Sequence, residues 1–600
     1  MIALNTVFRA AAALLVAMGL LALAPPADAA VFRVPVDIRT ISQAIGVSAP
    51  GDTIRVVGNG GATYSDRLVI SHDLVIEGGW RADFQTRDPR VYVSVVRDTT
   101  GLFERSVIRV DAAARVTLDG LTVLGGRLGV ESLAGGDLVI RDCDFRGQFN
   151  TAHGFNDQPG AAIYVSGGTL LAERVTTRDG ITAFAGAGLV LLDVQSATVR
   201  DCMFTRGTSR PFGPPQVFDP APGGGLLVVN STVLLDGVEV TQCAASLNEG
   251  GGLYAVASTV DMIRCEFRQC FSPTSGGAIQ AVDCPRVTFV DGTLADNVGG
   301  TGGAIAAIRV GDLQVTGTMI QDNATVPASS SSNLTREGSG IWIQTCTFTL
   351  RNNTFDSNNS PGSVVQRGGG VWTQSSNGLV EDTVFRGELA LGAGGAWYQV
   401  GGDVTLRRCE FRGNRSSFYG GASHIELGGR LRMEQTLVEG NLAKFGGGCS
   451  ASFTGAVEFE HCTFTGNASE NSGASFYLDT AASALISNTI ACCAPVGGQI
   501  NCSAATAVIT HSAFWNDDAV NVRAEYAGTC PDPTGTSGNI RLDPRFCTGD
   551  PGYPLSGSSP CLGAASDGGD IGWAGAGCAR PLNLTPESWG KIKARYSSPD

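Results

Sequence analysis

The stretches "SGIWIQ" (339–344), "GGVWTQ" (369–374) and "GGAWYQ" (394–399) put three of the chain's seven tryptophans in one repeated setting. In each, a tryptophan stands two residues before a glutamine: Trp342 with Gln344, Trp372 with Gln374, and Trp397 with Gln399. A flat aromatic face with an amide beside it suits the apolar face of a sugar ring whose hydroxyls bond at the edge. Tyr254, Tyr398, and His424 with Glu426 follow the same glycine-led spelling and extend the candidate binding set. The competing explanation is structural, because aromatics favour strands and neighbouring loops can fold over them as a second small core.

Other reactive groups do not assemble into a catalytic set. Asp142, Asp144 and Asp201 come close in successive units, but Arg146 and Arg200 stand beside them, which reads as solvated ion pairing. "NDD" (516–518) stands alone, without the further aspartates and Gly-His-Gly of a polygalacturonase-like site. The five histidines have no metal-ligand spacing, no calcium-binding repeat is present, and no cofactor is expected. His461, next to Cys462, reads as a turn residue.

The surrounding elements follow from a period. Gly-Gly-Ala/Gly-aliphatic recurs with its last residue at Leu253, Ile279 and Ile305, then at Val371, Trp397, Ser423, Cys449 and Ser475, with steps of 26 within each run. "CEFRGN" (409–414), "TLVEGN" (436–441) and "CTFTGN" (462–467) keep the same beat. Its apolar anchor is counted from Phe145 through Phe204, Phe267, Phe355, Phe385, Phe411 and Phe464 to Ile490, which gives thirteen turns once weaker copies are filled in. Alternation such as Cys409 in, Glu410 out, Phe411 in, Arg412 out is the period of a strand.

A unit this short cannot bury enough apolar surface to fold alone, so neighbours must stack. Leucines at fixed positions and helical return segments are missing, which disfavours a leucine-rich repeat. The expected fold is all-β: a single-stranded right-handed parallel β-helix of about 13–16 coils, handed as parallel crossovers nearly always are. Asn414, Asn441 and Asn467 are placed to bond amide to amide along its axis. Thirteen coils at about 4.8 Å give a body about 65 Å long. Along the strand opened by the glycines, the expected outward side chains are Tyr164, Tyr254, Trp342, Trp372, Tyr398, His424 and Phe476. At Trp397 the two spellings conflict, since Trp-x-Gln turns it outward while the glycine register turns it inward. Residues beyond the period, at 146–160, 205–222, 323–336 and 356–367, must leave the coil as loops on one edge.

"GGAI" alternating with "FRGN" or "FTGN" over roughly residues 220–480 resembles the repeat of the polymorphic outer membrane proteins, surface adhesins built on a parallel β-helix. The opening "TISQAI", "GDTIRV" and "DLVIEGG" resemble the start of pectin-lyase-like β-helix proteins, and "DPRFC", "YPLSGSSPC" and "GDIGWAGAGC" resemble the end of secreted bacterial β-helix repeat proteins. The outer-membrane family carries a transmembrane barrel after its repeats. The residues after Ile490 lack the alternating strands of about ten residues that a barrel requires, so an autotransporter mechanism is not carried over.

Composition sets the compartment and excludes some partners. An apolar run over 10–24 followed by Ala27-Asp28-Ala29 reads as a signal peptide cleaved after Ala29, too short to span a bilayer, which implies a secreted or cell-surface protein with no transmembrane segment after cleavage. A net charge of −14 and no basic stripe argue against nucleic acid. Of seventeen cysteines, Cys143, Cys202, Cys265, Cys409 and Cys462 recur in the repeat as small buried fillers, whereas Cys492, Cys493, Cys502, Cys530, Cys547, Cys561 and Cys578 crowd the end and suggest bridges, Cys547 with Cys561 being the preferred pair.

The expected organisation is a signal peptide (1–29), an N-terminal cap and first coils (30–110), β-helix repeats (111–520), a Cys-rich C-terminal cap (521–580) and a tail (581–600). Ile38, Ile41 and Ile45 lie at helical spacing and are suited to lid the first coil. Three function classes remain: a non-catalytic protein binding a polysaccharide or cell-surface glycan, a polysaccharide lyase or glycoside hydrolase, and a structural spacer. Fold alone does not separate them.

Overall fold

The computed structural model describes residues 29–58, 63–97, 105–150, 160–183, 185–210, 222–246, 249–326, 336–359, 366–517 and 525–578. The expected signal segment up to residue 28, the expected tail and half or more of each expected loop lie outside these residues. Among the described residues no helix is long and apolar enough to cross a membrane.

Each coil visits three sheets in a fixed order. Coil after coil, Leu253–Val256 leads to Thr259–Ile263 and then Glu266–Arg268, before the chain returns to Ile279–Val282 beside its starting strand. We name these sheets C, A and B. Among the described residues all the pairing between coils is parallel: sheet A holds 18 strands and sheets B and C hold 17 each. The chain is therefore a single-stranded parallel β-helix, longer than the repeat count suggested. The additional coils lie mostly before residue 160, where Leu68–Ile70, Ile108–Val110 and Val130–Ser132 stack without the glycine motif.

The repeated residues have identifiable physical roles. The first glycine of each pair takes a left-handed turn, as Gly394 does at φ +65°, and the second permits close approach: a Cβ on Gly395 would lie 2.0 Å from the carbonyl oxygen of Gly421. Behind them a column of phenylalanines fills the cylinder, with Phe355, Phe385 and Phe411 stacked at 4.7 Å between ring centroids. That spacing matches the rise per coil, so each ring covers the next. The anchor Ile490 is an exception, since the register pairs Ala491 with Phe464 and sets Ile490 opposite Thr463 on the outer face. Cys143, Cys202, Cys409 and Cys462 are buried, and their thiols are pushed up to about 12 by loss of solvent, which leaves them protonated fillers.

The asparagine ladder forms and runs further than expected. Asn414 Nδ2 donates to Asn441 Oδ1 at 2.9 Å and Asn441 Nδ2 to Asn467 Oδ1 at 3.0 Å, while Asn297, Asn323 and Asn358 repeat the pattern upstream. Between the two runs Glu388 occupies the asparagine slot. It is fully buried: Oε1 accepts from Asn358 Nδ2, and Oε2 has no partner.

Both ends are covered. Helix α1 (Ile41–Val47), capped by Thr40 Oγ1 accepting from Gln43 N, buries Ile41, Ala44 and Ile45 over the first coils. At the other end residues 541–578 fold back along the outer face of sheet B, where Tyr553 Oη donates to Glu439 Oε1 at 2.6 Å and His461 meets Asp567. Ile490, Leu555, Cys561 and Ile571 form a small core beneath this flap. The disulfides are Cys502–Cys530 and Cys547–Cys578, which corrects the expected Cys547–Cys561 pair. Cys561 is instead an apolar filler in the flap's core, and Cys492 and Cys493 are also free.

Burial pushes the Glu388 carboxyl well above the usual carboxylate range, so the folded chain holds it protonated. Its stabilising contribution is full below the ordinary glutamate value and is lost as pH rises through the raised folded value. Glu388→Gln, which keeps the shape without the titrating proton, is expected to raise the melting temperature at alkaline pH and leave it nearly unchanged at pH 4. Parallel wild-type and variant melts across that range check this.

Candidate functional site

Sheet C carries the candidate residues on its outer face. Tyr254, Gln280, Ala306, Trp342, Trp372, Tyr398, His424, Ser450 and Tyr477 are successive partners in its register. The neighbouring outward column contains Gln344, Gln374, Val400 and Glu426. Trp342 and Trp372 stack with centroids 5.5 Å apart, and Gln344 Nε2 donates to Gln374 Oε1 at 3.0 Å.

Two expected positions face the other way. Trp397 and Gln399 point into the cylinder, as the glycine register indicated, opposite Val371 and Ser423 for the indole and Thr373 and Ile425 for the amide. The smaller flanking residues Val371 and Ser423 make room for the indole, which meets Phe385 edge-on at 6.3 Å, and Gln399 Nε2 donates to the carbonyls of Gly402 and Arg430. Phe476 is also inward, and Tyr477 takes the outward place, because Cys449 pairs with Phe476 after a step of 27 residues rather than 26.

The stripe is less open than the spelling suggests. Arg367, Ala393, Tyr419 and Phe445 form their own ladder, each just before a glycine pair, and lie beside the outward column. Trp372 and Tyr398 pack against Ala393 and Tyr419 as a satellite core, Trp342 is half-buried with Nε1 donating to Glu337 Oε2, and His424 is buried. Tyr254 belongs to a different cluster, with Tyr164, Val190 and Leu227, and the intervening Gln280 and Ala306 separate it from the tryptophans.

Beyond this cover Tyr398, His424 and Glu426 form the floor of a cleft of about 370 Å³, walled also by Arg367, Tyr419 and Asp479. Its rims carry Phe418 and Phe453, which are 46% and 53% exposed. Those two rings escaped the sequence reading because they sit in turns, outside the strand pattern, although "SSFYGG" keeps Phe418 on the repeat beat.

In the cleft floor one hydrogen-bonded chain links Tyr398, Glu426, His424 and Ser450. Tyr398 Oη donates to Glu426 Oε1 at 2.5 Å, His424 Nε2 lies 3.5 Å from Glu426 Oε2, and His424 Nδ1 bonds Ser450 Oγ at 2.7 Å. The Arg367 guanidinium rests over the Tyr398 ring at 5.3 Å. Burial alone would raise the Glu426 carboxyl, but hydrogen bonds from His424 and Tyr398 outweigh it and hold the group below its ordinary value. Burial and the Glu426 charge push the Tyr398 phenol up, which makes it a donor rather than a base.

The order Ser450, His424, Glu426 resembles a nucleophile, base and orienting acid. Ser450 is fully buried, however, and does not line the cleft; its bond to His424 ties the cleft floor to the next coil. Among the described residues no group of three or more metal-ligating side chains occurs. Asp142 pairs with Arg174, and Asp144 with Arg146 and Arg178, as expected of ion pairs, whereas Asp201 makes no ion pair among the described residues and Arg200 turns to Glu173 and Asp236.

Fold and cleft together define a class, the elongated β-solenoid with a ligand-sized depression on one flank. The family model described as "Right handed beta helix region" matches residues 106–384 and 339–531, and the chain belongs to that family. No curated protein matches it. Among solved structures, a PL6 family alginate lyase, AlyGC, aligns at 8% identity over 86% of this chain and 100% of that one, with a TM-score of 0.21. A likeness that low carries no argument about activity.

Because its folded value is depressed, Glu426 contributes stability that is present above its ordinary value of 4.5 and is lost as pH falls through the folded value. Glu426→Gln is expected to flatten the acid limb of melting temperature against pH while leaving Tyr398 buried. Tyrosine fluorescence and thermal melts between pH 3 and 6 check both.

Proposed function

We propose that this is a secreted or cell-surface, non-catalytic β-helix protein that binds glycan chains in the cleft between Phe418 and Phe453. The observation that carries the reading is the pairing of two exposed phenyl rings with a fixed polar floor. Rings of this kind stack on the apolar faces of sugars, while Arg367 can donate to hydroxyls and Glu426 and Asp479 can accept from them. Because the floor is already hydrogen-bonded within itself, ligand binding would spend little free energy on ordering it.

Export is supported by the apolar run ending at Ala29 and by the first rung of the fold. Ala30 N donates to Asp52 Oδ1 at 2.7 Å, so a chain starting at Ala30 would bring its ammonium group onto a buried carboxylate. The repeat's resemblance to surface adhesins points the same way. A polysaccharide-cleaving role has less support, because the nucleophile-like Ser450 is sealed and the Tyr398 phenol is held protonated.

The test is a glycan array probed with the purified chain, followed by calorimetry on the strongest ligand. The variant Phe418→Ala/Phe453→Ala should lose affinity by about tenfold or more, the scale of truncated aromatic anchors, with an unchanged melting temperature. Retained affinity in the folded variant would reject this cleft as the binding site.

A further inference from the structure

A second cavity, on sheet B and toward the opposite end of the cylinder, has different chemistry. Its volume is about 530 Å³, and it lies between the outer face of the strands carrying Thr122, Asp144 and Thr176 and an excursion of the chain around residues 81–93. Four guanidinium groups line it, from Arg87, Arg90, Arg146 and Arg174, against three carboxylates, from Asp88, Asp142 and Asp144. In a chain of net charge −14 these lining groups carry one positive charge in excess. Of the four arginines only Arg90 has no carboxylate paired to it among the described residues, Arg87 being held by Asp119, Arg146 by Asp144 and Arg174 by Asp142.

The excursion is built as a fixed wall. Asp88 N donates to Gly79 O, Arg87 Nε donates to Gly78 O at 2.9 Å, and the Arg87 guanidinium pairs with Asp119 on sheet A. Glycines let it lie close: a Cβ on Gly79 would stand 2.6 Å from Pro89 Cα, and one on Gly120 would stand 2.7 Å from Pro89 Cγ. The Asp142–Arg174 pair alone would signify little, since Asp179–Arg206, Asp283–Arg309 and Asp382–Arg408 repeat it at other turns. Here the excursion walls the pair into a cavity and adds Arg90, an exposed arginine that makes no ion pair among the described residues. Asp144 Oδ1 is buried there without a hydrogen-bond partner, an acceptor left over after Arg146 and Arg178 are satisfied by Oδ2.

We infer that this pocket is a second ligand site, which takes an oxyanion-bearing sugar unit. A guanidinium with a free edge matches a carboxylate or sulfate oxygen pair, and the interleaved aspartate and threonine groups match the hydroxyls of the same ring. The shared chemistry is the anionic group, whether a uronate carboxylate or a sulfate ester. The inference stands apart from the aromatic cleft, which lies on another sheet and holds one arginine.

The full chain is titrated calorimetrically with three probes of equal length: an oligouronate, a sulfated oligosaccharide and a neutral oligosaccharide. One or both anionic probes are expected to bind, the neutral one at least tenfold more weakly, and which anion binds identifies the source. Arg90→Ala should weaken anion binding about tenfold and Arg90→Glu should abolish it, while Phe418→Ala/Phe453→Ala leaves it unchanged. Equal affinity for neutral and anionic probes, unaltered binding in both Arg90 variants, or no binding of either anion overturns the site. Loss in the phenylalanine variant alone assigns the binding to the aromatic cleft and also overturns it, without touching the reading of that cleft.

Discussion

Each coil is held in place by the one that follows it. Asn441 Oδ1 accepts from both the backbone N–H and the side-chain amide of Asn414, while Asn441 Nδ2 reaches back to Phe411 O and forward to Asn467. A single hydrogen bond of this kind contributes about 1 kcal/mol net, but an unpartnered amide in that position costs more, so a slipped coil is penalised at every rung. Outside the cylinder the same register is enforced by charge. Arg351, Glu381, Arg407 and Glu434 alternate in sign along sheet A, each contacting the next, and a slip by one coil would set like charges together.

The cleft inherits its geometry from that register. Tyr398, His424 and Ser450 belong to three successive coils, and they meet only because their strands are aligned residue against residue. A one-residue slip in the strand Trp397–Val400 would send Tyr398 into the cylinder and bring Trp397 or Gln399 out, and the same slip in the next strands would bury His424 or Ser450 in the same way. The rims obey a looser rule. Phe418 lies in a turn and Phe453 in a left-handed turn at φ 46°, positions that the ladder tolerates and does not dictate. The floor is thus fixed by the coil register, and the rims are free of it.

Much of this was legible beforehand, and what was missed has a common cause. Glycine pairs and asparagines at a fixed beat reveal the solenoid, because close approach and axial amide bonding restrict those positions to one residue type. Trp397 shows the limit: its Trp-x-Gln spelling equals that of Trp342 and Trp372, yet the glycine beat sets it inward. Phe476 shows the converse, where one extra residue after Cys449 reversed the face. A second small core over the stripe was one of the two readings the sequence left open, but the residues that form the cover, Tyr419 and Phe445, were not legible, since their own ladder lies before the glycines and spells no repeat of its own. Pairing of Cys547 with Cys578 depends on how the flap folds back, which no local pattern encodes.

Alignment between the coils that build the cleft is the claim on which the rest turns, and paired cysteines test it most directly. Thr405 and Arg432 are register partners on the outer face of sheet A, one rung apart. Neighbouring strands about 4.8 Å apart fall within disulfide reach, whereas a diagonal offset of two residues does not. In Thr405→Cys/Arg432→Cys the new thiols should oxidise to a disulfide in the folded chain, and in Thr405→Cys/Arg430→Cys they should remain free. Oxidation of the offset pair, or of neither, would contradict the account.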